Sequence, residues 1–335
     1  MTSFARLRVP ALMLFLVLLL VACGGQPTAA PAPVGALTVI ATTTQIEDVL
    51  GALVGDRVTI VGFVARNGDP HEFEPTPENV KQVAGSTAVF KNGAGFEGWL
   101  DELIANAGGN RPVFDLSEGL SLGTIDSAFE EGGETDPHIW MSPVHMLTVV
   151  DNAVAGLKQI DPAGAATFDA NATSYKAQLT ELDAWAEREL ASIPPERRKL
   201  VTAHDAMGYF ASRYNFAILG AVIPSASTEA AETSAKALAA LVETIRAAQV
   251  PTIFAEASTN PKFIEQVAAE SGVKVDELYV DSLGDKGGEA GTYLDFFRTN
   301  VNRIVTGLKS PLLLQSKASP ARSPSTASSA TLLRA

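Results

Sequence analysis

Three of the four histidines in this sequence lie in loops beside predicted strands, where their imidazoles could share one ligand. His71 and His138 each close an Asp-Pro-His tripeptide, and His204 ends the predicted strand Val-Thr-Ala-His. Proline fixes its own φ and restrains the residue before it, so each tripeptide presents its imidazole on a stiff backbone. Imidazole nitrogen is a common ligand of transition metals, zinc in particular. The pattern predicts a metal site, and the alternative at this point is that these are surface histidines of exposed loops.

Carboxylates accompany these histidines. Asp69 and Asp136 stand two residues before His71 and His138, where each could accept one ring N–H and leave the other nitrogen for a metal. Asp281 follows the last predicted strand and is the candidate for a fourth ligand. Glu256, at the end of the predicted strand 252–255, is a weaker candidate for an acid that supports the ligands.

The remaining histidine, His145, lies seven positions after His138 inside a helix predicted to start near Ser142. We interpret it as a residue of the helix face. The other three and Asp281 are far apart along the chain, unlike the closely spaced ligands of zinc fingers. They can meet only through tertiary structure, in a cleft between two lobes. Loops beyond the carboxyl ends of strands are where ligands collect in α/β sheets.

The elements that must position these loops alternate between β-branched runs and helical stretches. Strands are predicted at 37–42, 57–62, 88–91, 112–116, 199–203, 216–220, 252–255 and 273–279, and helices at 45–54, 77–84, 98–107 and 163–191. This order predicts an α/β fold with two similar lobes of mostly parallel sheet, at 36–162 and 193–309. One long rigid backbone helix within 163–192 joins them and would be about 40 Å long.

The two ends of the chain have different compositions from the middle. Residues 1–22 are typical of a signal peptide, and Leu-Val-Ala-Cys at 20–23 resembles the lipobox of bacterial lipoproteins, which implies lipidation of Cys23. Residues 23–35 form a Pro/Ala/Gly tether, and 310–335 is a Ser/Ala/Pro tail that we expect to be disordered. The formal net charge of −13 argues against nucleic acid as a partner.

Several motifs resemble the metal-specific family of ABC-transporter periplasmic solute-binding lipoproteins, which serves zinc, manganese and iron importers. They lie at 68–77, 92–99, 136–143, 204–210 and 281–283. The resemblance implies two lobes on a rigid helix and one transported metal held by His71, His138, His204 and Asp281. It further implies a non-enzymatic, monomeric protein outside the cytoplasm, at the cell surface or in the periplasm, anchored to the membrane by lipid and paired with an ABC permease.

The third ligand position bears on the metal. Manganese binders of this family tend to carry Glu where this chain has His204, and imidazole suits zinc better than it suits manganese. We therefore favour Zn²⁺ over Mn²⁺ or Fe²⁺. Many zinc members carry a His-rich loop before the second histidine, whereas residues 125–135 are acidic without histidine. The alternatives are a zinc hydrolase, with Glu256 as general base and Asp281 unbound, and an adhesin with an incidental metal site.

Overall fold

The predicted alternation of strands and helices is present in the computed structural model, which describes residues 37–125, 133–228, 234–258 and 261–312. The predicted signal peptide, the predicted lipidation site Cys23, the predicted tether and all but the first residues of the C-terminal tail lie outside these residues. A long helix, α5 (Ala165–Ala191), divides the chain. We call residues 37–164 the first half and residues 192–312 the second half.

The first half contains a parallel sheet with helices on both sides. Its elements are β1 (Leu37–Ala41), α1 (Thr44–Val54), β2 (Val58–Gly62), α2 (Pro77–Gly85), β3 (Ala88–Lys91), α3 (Leu100–Ala107), β4 (Val113–Asp115), β5 (Thr124–Ile125), β6 (Glu134–Thr135) and α4 (Pro143–Ile160). The strand order is β2-β1-β3-β4, and all three pairings are parallel. The short antiparallel pair β5–β6 was not predicted.

Both faces of the central strand are buried, as is typical of a parallel sheet. Val39 and Ala41 of β1 pack in the main hydrophobic core, and Ile40 between them packs in a smaller cluster with Val83 and Leu103. Alternate side chains thus enter apolar layers on opposite faces, as the near-continuous hydrophobic runs of parallel sheets require.

The second half repeats the alternation with two parallel strand pairs. Its elements are β7 (Lys199–His204), α6 (Gly208–Tyr214), β8 (Ala217–Ile223), α7 (Ala235–Ala248), β9 (Thr252–Glu256), α8 (Lys262–Ser271), β10 (Lys274–Leu278) and α9 (Tyr293–Lys309). β7 pairs with β8 and β9 pairs with β10, and β7 lies beside β9. The carboxyl ends of β7 and β9 therefore bring His204 and Glu256 next to each other.

The connecting helix α5 covers Ala165–Ala191, within the predicted span. Its buried residues recur every three or four positions, which places them on one stripe. They are Phe168, Ala172, Tyr175, Leu179, Leu182, Ala186 and Leu190. The helix packs against α1 and α4 of the first half and α9 of the second half.

The predicted α/β class with mostly parallel sheets is confirmed. The predicted lobe boundaries at 162 and 193 stay predictions. Among the described residues, no helix is both long and apolar enough to span a bilayer.

Candidate metal centre

His71 lies in the loop between β2 and α2. The far side of this loop is fixed by the start of α2, where Thr76 and Asn79 form a reciprocal capping box. Asp69 Oδ1 accepts the backbone N–H of His71 at 2.9 Å, and its Oδ2 accepts the hydroxyl of Thr228 at 2.7 Å. Asp69 thus fixes the backbone of His71, as an Asp side chain can do for the second residue after it. The sequence predicted a bond from Asp69 to the ring, but its second carboxylate oxygen bonds Thr228 instead.

His138 follows Asp136 and Pro137 and opens a short 3₁₀ turn before α4. Asp136 Oδ1 lies 3.0 Å from the backbone nitrogen and 2.8 Å from ring Nδ1 of His138. Here the carboxylate does reach the ring, as predicted for this tripeptide. Burial raises the pKa of Asp136 to about 7. A bond from Nδ1–H to this carboxylate leaves the Nε2 lone pair directed into the site.

His204 ends β7, and its partner comes from the adjacent strand. Both oxygens of Glu256 lie within reach of His204 Nδ1, at 2.7 and 2.8 Å, and Oε1 also accepts the backbone N–H of His204 at 3.0 Å. Glu256 was the weaker prediction, since nothing in the sequence shows that β7 and β9 are neighbours. The structure gives it the role that Asp136 has at His138.

Asp281 lies just past β10 and is fully buried. Both of its carboxylate oxygens are buried and accept no hydrogen bond from the described residues, and the same holds for Nε2 of His71. A buried acceptor without a donor costs about 1–3 kcal/mol. A cation bound by these three atoms would therefore be stabilised.

The four side chains converge although their sequence positions are distant. One ligand atom from each of His71, His138, His204 and Asp281 lies within 4.8 Å of the other three. The two Nε2 atoms of His138 and His204 are 3.2 Å apart, and Asp281 Oδ1 lies 3.6 Å from His204, 3.8 Å from His138 and 3.9 Å from His71. Zinc bonds of 2.0–2.1 Å at the tetrahedral angle would separate ligand atoms by about 3.3 Å. The cluster fits one ion with small inward shifts.

The electrostatics of the cluster favour a bound cation. Burial, with contributions from the neighbouring histidines, lowers the pKa of His71 to about 2, and burial lowers the pKa of His138 well below its ordinary value. Burial also disfavours charge on His204, but the carboxylates of Glu256 and Asp281 outweigh it and raise its pKa to about 10. Burial raises the pKa of Asp281 well above its usual range. Neutral imidazoles are the form that binds metals, so His71 and His138 are ready to bind, whereas His204 would give up a proton to a bound cation.

Aromatic rings close the site around these ligands. The ring of Phe96 lies 5.0 Å from that of His71, and Trp140 lies 5.3 Å from both Phe96 and His138. Of the four candidate ligands only His71 keeps an exposed edge, at 7% of its side chain. A cavity of about 670 Å³ adjoins it, lined by Phe73, Trp99 and Ala226 among others. The cavity reaches the cluster from the His71 side.

His145 stays outside the cluster. It lies on α4, and its ring contacts Tyr209 edge-on at 4.6 Å. Its predicted place on a helix face agrees with this position. No role at the site was predicted for Phe96 or Tyr209 individually. Tyr209 donates to the carbonyl oxygen of Asp136 at 2.7 Å, and no spacing in the sequence indicated that contact.

Comparisons with known proteins agree with this geometry. A family model described as "Zinc-uptake complex component A periplasmic" matches residues 39–307. The chain is similar to the manganese ABC transporter substrate-binding lipoprotein scaA of Streptococcus gordonii, with 30% identity over 307 residues, 88% of this chain and 98% of that protein. It is equally similar to the iron ABC transporter substrate-binding lipoprotein MtsA of Streptococcus pyogenes serotype M1, with 30% identity over 299 residues, 87% and 95% of the two chains.

Among solved structures, the periplasmic zinc binding protein TroA from Treponema pallidum aligns with a TM-score of 0.75 and 30% identity. The alignment covers 82% of this chain and 99% of that one. The names of these three relatives mention manganese, iron and zinc, so the likeness alone leaves the metal open.

Proposed function

This chain belongs to the metal-specific family of ABC-transporter solute-binding lipoproteins, and we propose that it captures Zn²⁺ outside the cytoplasm and delivers it to an ABC importer. The observation that carries the proposal is the buried convergence of His71, His138, His204 and Asp281, three of whose acceptor atoms have no donor among the described residues. Family members act with permease and ATPase components. Lipid on Cys23 would hold this chain at the membrane surface.

The donor set is the argument for zinc over manganese or iron. Three imidazole nitrogens and one carboxylate oxygen complete a tetrahedron, the geometry that zinc adopts in closed sites. Manganese prefers harder oxygen ligands in larger number. The third position is the informative one, because His204 supplies nitrogen where the manganese binders that the motifs resemble tend to supply a carboxylate.

Each residue has a defined part in holding the cargo. Asp136 and Glu256 bind Nδ1 of His138 and His204, which fixes both rings and raises the basicity of the Nε2 atoms. His71, with its exposed edge on the cavity, is the ligand that an arriving ion meets first. Asp281 contributes the negative charge that partly neutralises the dication. Release to the importer then requires one ligand loop to move.

The same arrangement disfavours hydrolysis. A zinc hydrolase keeps an open coordination position for water, and here four candidate ligands already surround the centre. Glu256, the base such an enzyme would need, is hydrogen-bonded to both the ring and the backbone of His204. Peptidase and esterase assays on the zinc-loaded protein should give no turnover above that of free Zn²⁺.

Elemental analysis with competitive titration tests the proposal. The full chain, purified in detergent, should bind one Zn²⁺ per chain and keep it against an equal concentration of Mn²⁺. Displacement of zinc by equimolar manganese would refute zinc as the cargo. A chain that binds neither ion would refute metal capture altogether.

A further inference from the structure

The backbone around Asp281 is hydrogen-bonded to the first half, although it belongs to the second half by sequence. Gln45 Nε2 donates to the carbonyl oxygen of Asp281 at 3.1 Å, and the backbone N–H of Leu283 donates to Thr44 Oγ1 at 2.8 Å. Thr44 Oγ1 in turn donates to Gln45 Oε1 at 3.2 Å. These three bonds form one continuous chain that holds the main chain at Asp281 and at Leu283, two residues later.

Other first-half residues extend this attachment. Trp140 Nε1 donates to the carbonyl oxygen of Val280 at 2.8 Å, and the backbone N–H of Asn67 donates to the carbonyl oxygen of Leu283 at 3.0 Å. Arg66 Nη1 reaches two further carbonyl oxygens of the same segment at 2.8 Å each. First-half residues thus bond the backbone of the second half at several positions between Val280 and Gly291.

Thr44 and Gln45 are suited to this task by their place in the fold. They are the first two residues of α1, which is separated from β1 by two residues and is capped by Thr43. Both are buried, with Gln45 fully enclosed. A buried amide is stable only when its polar atoms are paired, and here both are. Their position on a helix end that follows a central strand makes them a rigid support.

The carboxylate of Asp281 has no support of its own. His138 and His204 are each oriented by an acid at Nδ1, but the Asp281 oxygens have no donor among the described residues. The place of this carboxylate is therefore set through its backbone.

We propose that Thr44 and Gln45 are positioning residues for Asp281, so that this ligand, like His71 and His138, is held by the first half. His204, which is bonded to Glu256, is the one ligand fixed by the second half. The inference rests on the proposed function, because it assigns Asp281 to the metal.

Gln45→Leu tests the inference with Co²⁺ and Zn²⁺ as probes. Leucine removes the amide at similar volume and leaves the Asp281 carbonyl without its donor. Gln45→Leu also removes the bond from Thr44, and loss of the one bond that reaches Asp281 should speed Zn²⁺ dissociation by about 2- to 10-fold. The visible absorption of bound Co²⁺ should weaken and shift, because a displaced carboxylate changes the coordination. Thr44→Val should shift both readouts in the same direction and serves if Gln45→Leu does not fold.

Asn300→Leu is the matched control. Asn300 is a buried amide on α9 of the second half, and it bonds the N–H and the carbonyl oxygen of Tyr279, two residues before Asp281. Its loss should lower Tm but leave Zn²⁺ dissociation and the Co²⁺ spectrum unchanged. Equal effects of Asn300→Leu and Gln45→Leu, or no effect of Gln45→Leu and Thr44→Val, would overturn the inference. Failure of the proposed function would instead appear as absence of metal binding in the unsubstituted chain.

Discussion

Substituting Glu256 by Gln tests how much the acid behind His204 contributes to metal affinity. The carboxylate is buried, with 1% of the side chain exposed, and accepts from both Nδ1 and the backbone N–H of His204. Glutamine keeps the size but loses the negative charge and the second oxygen at Nδ1, so the bond to the ring is no longer charge-assisted. Such a bond contributes about 1.5–3 kcal/mol. The expected loss of Zn²⁺ affinity is therefore about 10- to 150-fold, in line with the 10–100-fold typical of such partners.

Competition against a chromophoric zinc chelator at fixed pH and ionic strength measures this loss. Asp183→Asn is the control, because Asp183 on α5 also accepts several hydrogen bonds, from Arg213 and Tyr214, but is not in the cluster. It should lower Tm and leave Zn²⁺ affinity unchanged. An affinity of the Glu256→Gln protein within about twofold of the original would show that we have overvalued the acid. An equal loss in Asp183→Asn would show that any destabilisation weakens the site.

Three further substitutions address the metal preference, the remaining histidine and acid stability. His204→Glu should lower the Zn²⁺/Mn²⁺ affinity ratio at least about tenfold in competitive titration, and an unchanged ratio would contradict the role of His204. The double variant His204→Glu/Glu256→Gln should bind Mn²⁺ more tightly than His204→Glu alone, because the second substitution removes a buried like charge. His145→Phe should leave one Zn²⁺ per chain with affinity within about twofold, and a lost ion would make His145 a ligand. The bidentate bond from Arg57 lowers the pKa of Asp161 in the folded protein. The ion pair therefore stabilises the fold above the unfolded-state pKa of Asp161, and this stabilisation is lost as pH falls through the folded-state pKa. Asp161→Asn should lower Tm at neutral pH by an amount that vanishes in acid, and a Tm difference that does not change with pH would refute the ion pair as its cause.

The parts of the fold that the sequence predicted are those fixed by local pattern. The strand of residues 88–91 and the start of α2 at Pro77 agree with the structure because hydrophobic run length and capping chemistry act over a few residues. The pair β5–β6 was missed, since two-residue strands carry no periodicity. Whether β7 and β9 are neighbours depends on tertiary packing, and Glu256 was therefore a weak candidate.

The candidate site shows the same division between local and distant information. Proline made the loops of His71 and His138 recognisable, because its restraint acts on adjacent residues. The two aspartates of the repeated tripeptide nevertheless differ, since Asp136 reaches the ring whereas Asp69 bonds the backbone and Thr228. Identical local sequence cannot distinguish these outcomes when the second partner, Thr228, comes from a loop distant in the chain.

The buried cluster also contains polar atoms that the contacts of the described residues leave unsatisfied. Val39 and Ile40 are enclosed by apolar neighbours, whereas both oxygens of Asp281 are enclosed without a donor among the described residues. Natural sequences break local rules of this kind where function requires it. A rigid support such as the chain through Thr44 and Gln45 is needed because an unsatisfied carboxylate would otherwise turn towards water. The support therefore explains how the structure can keep a carboxylate poised for a cation.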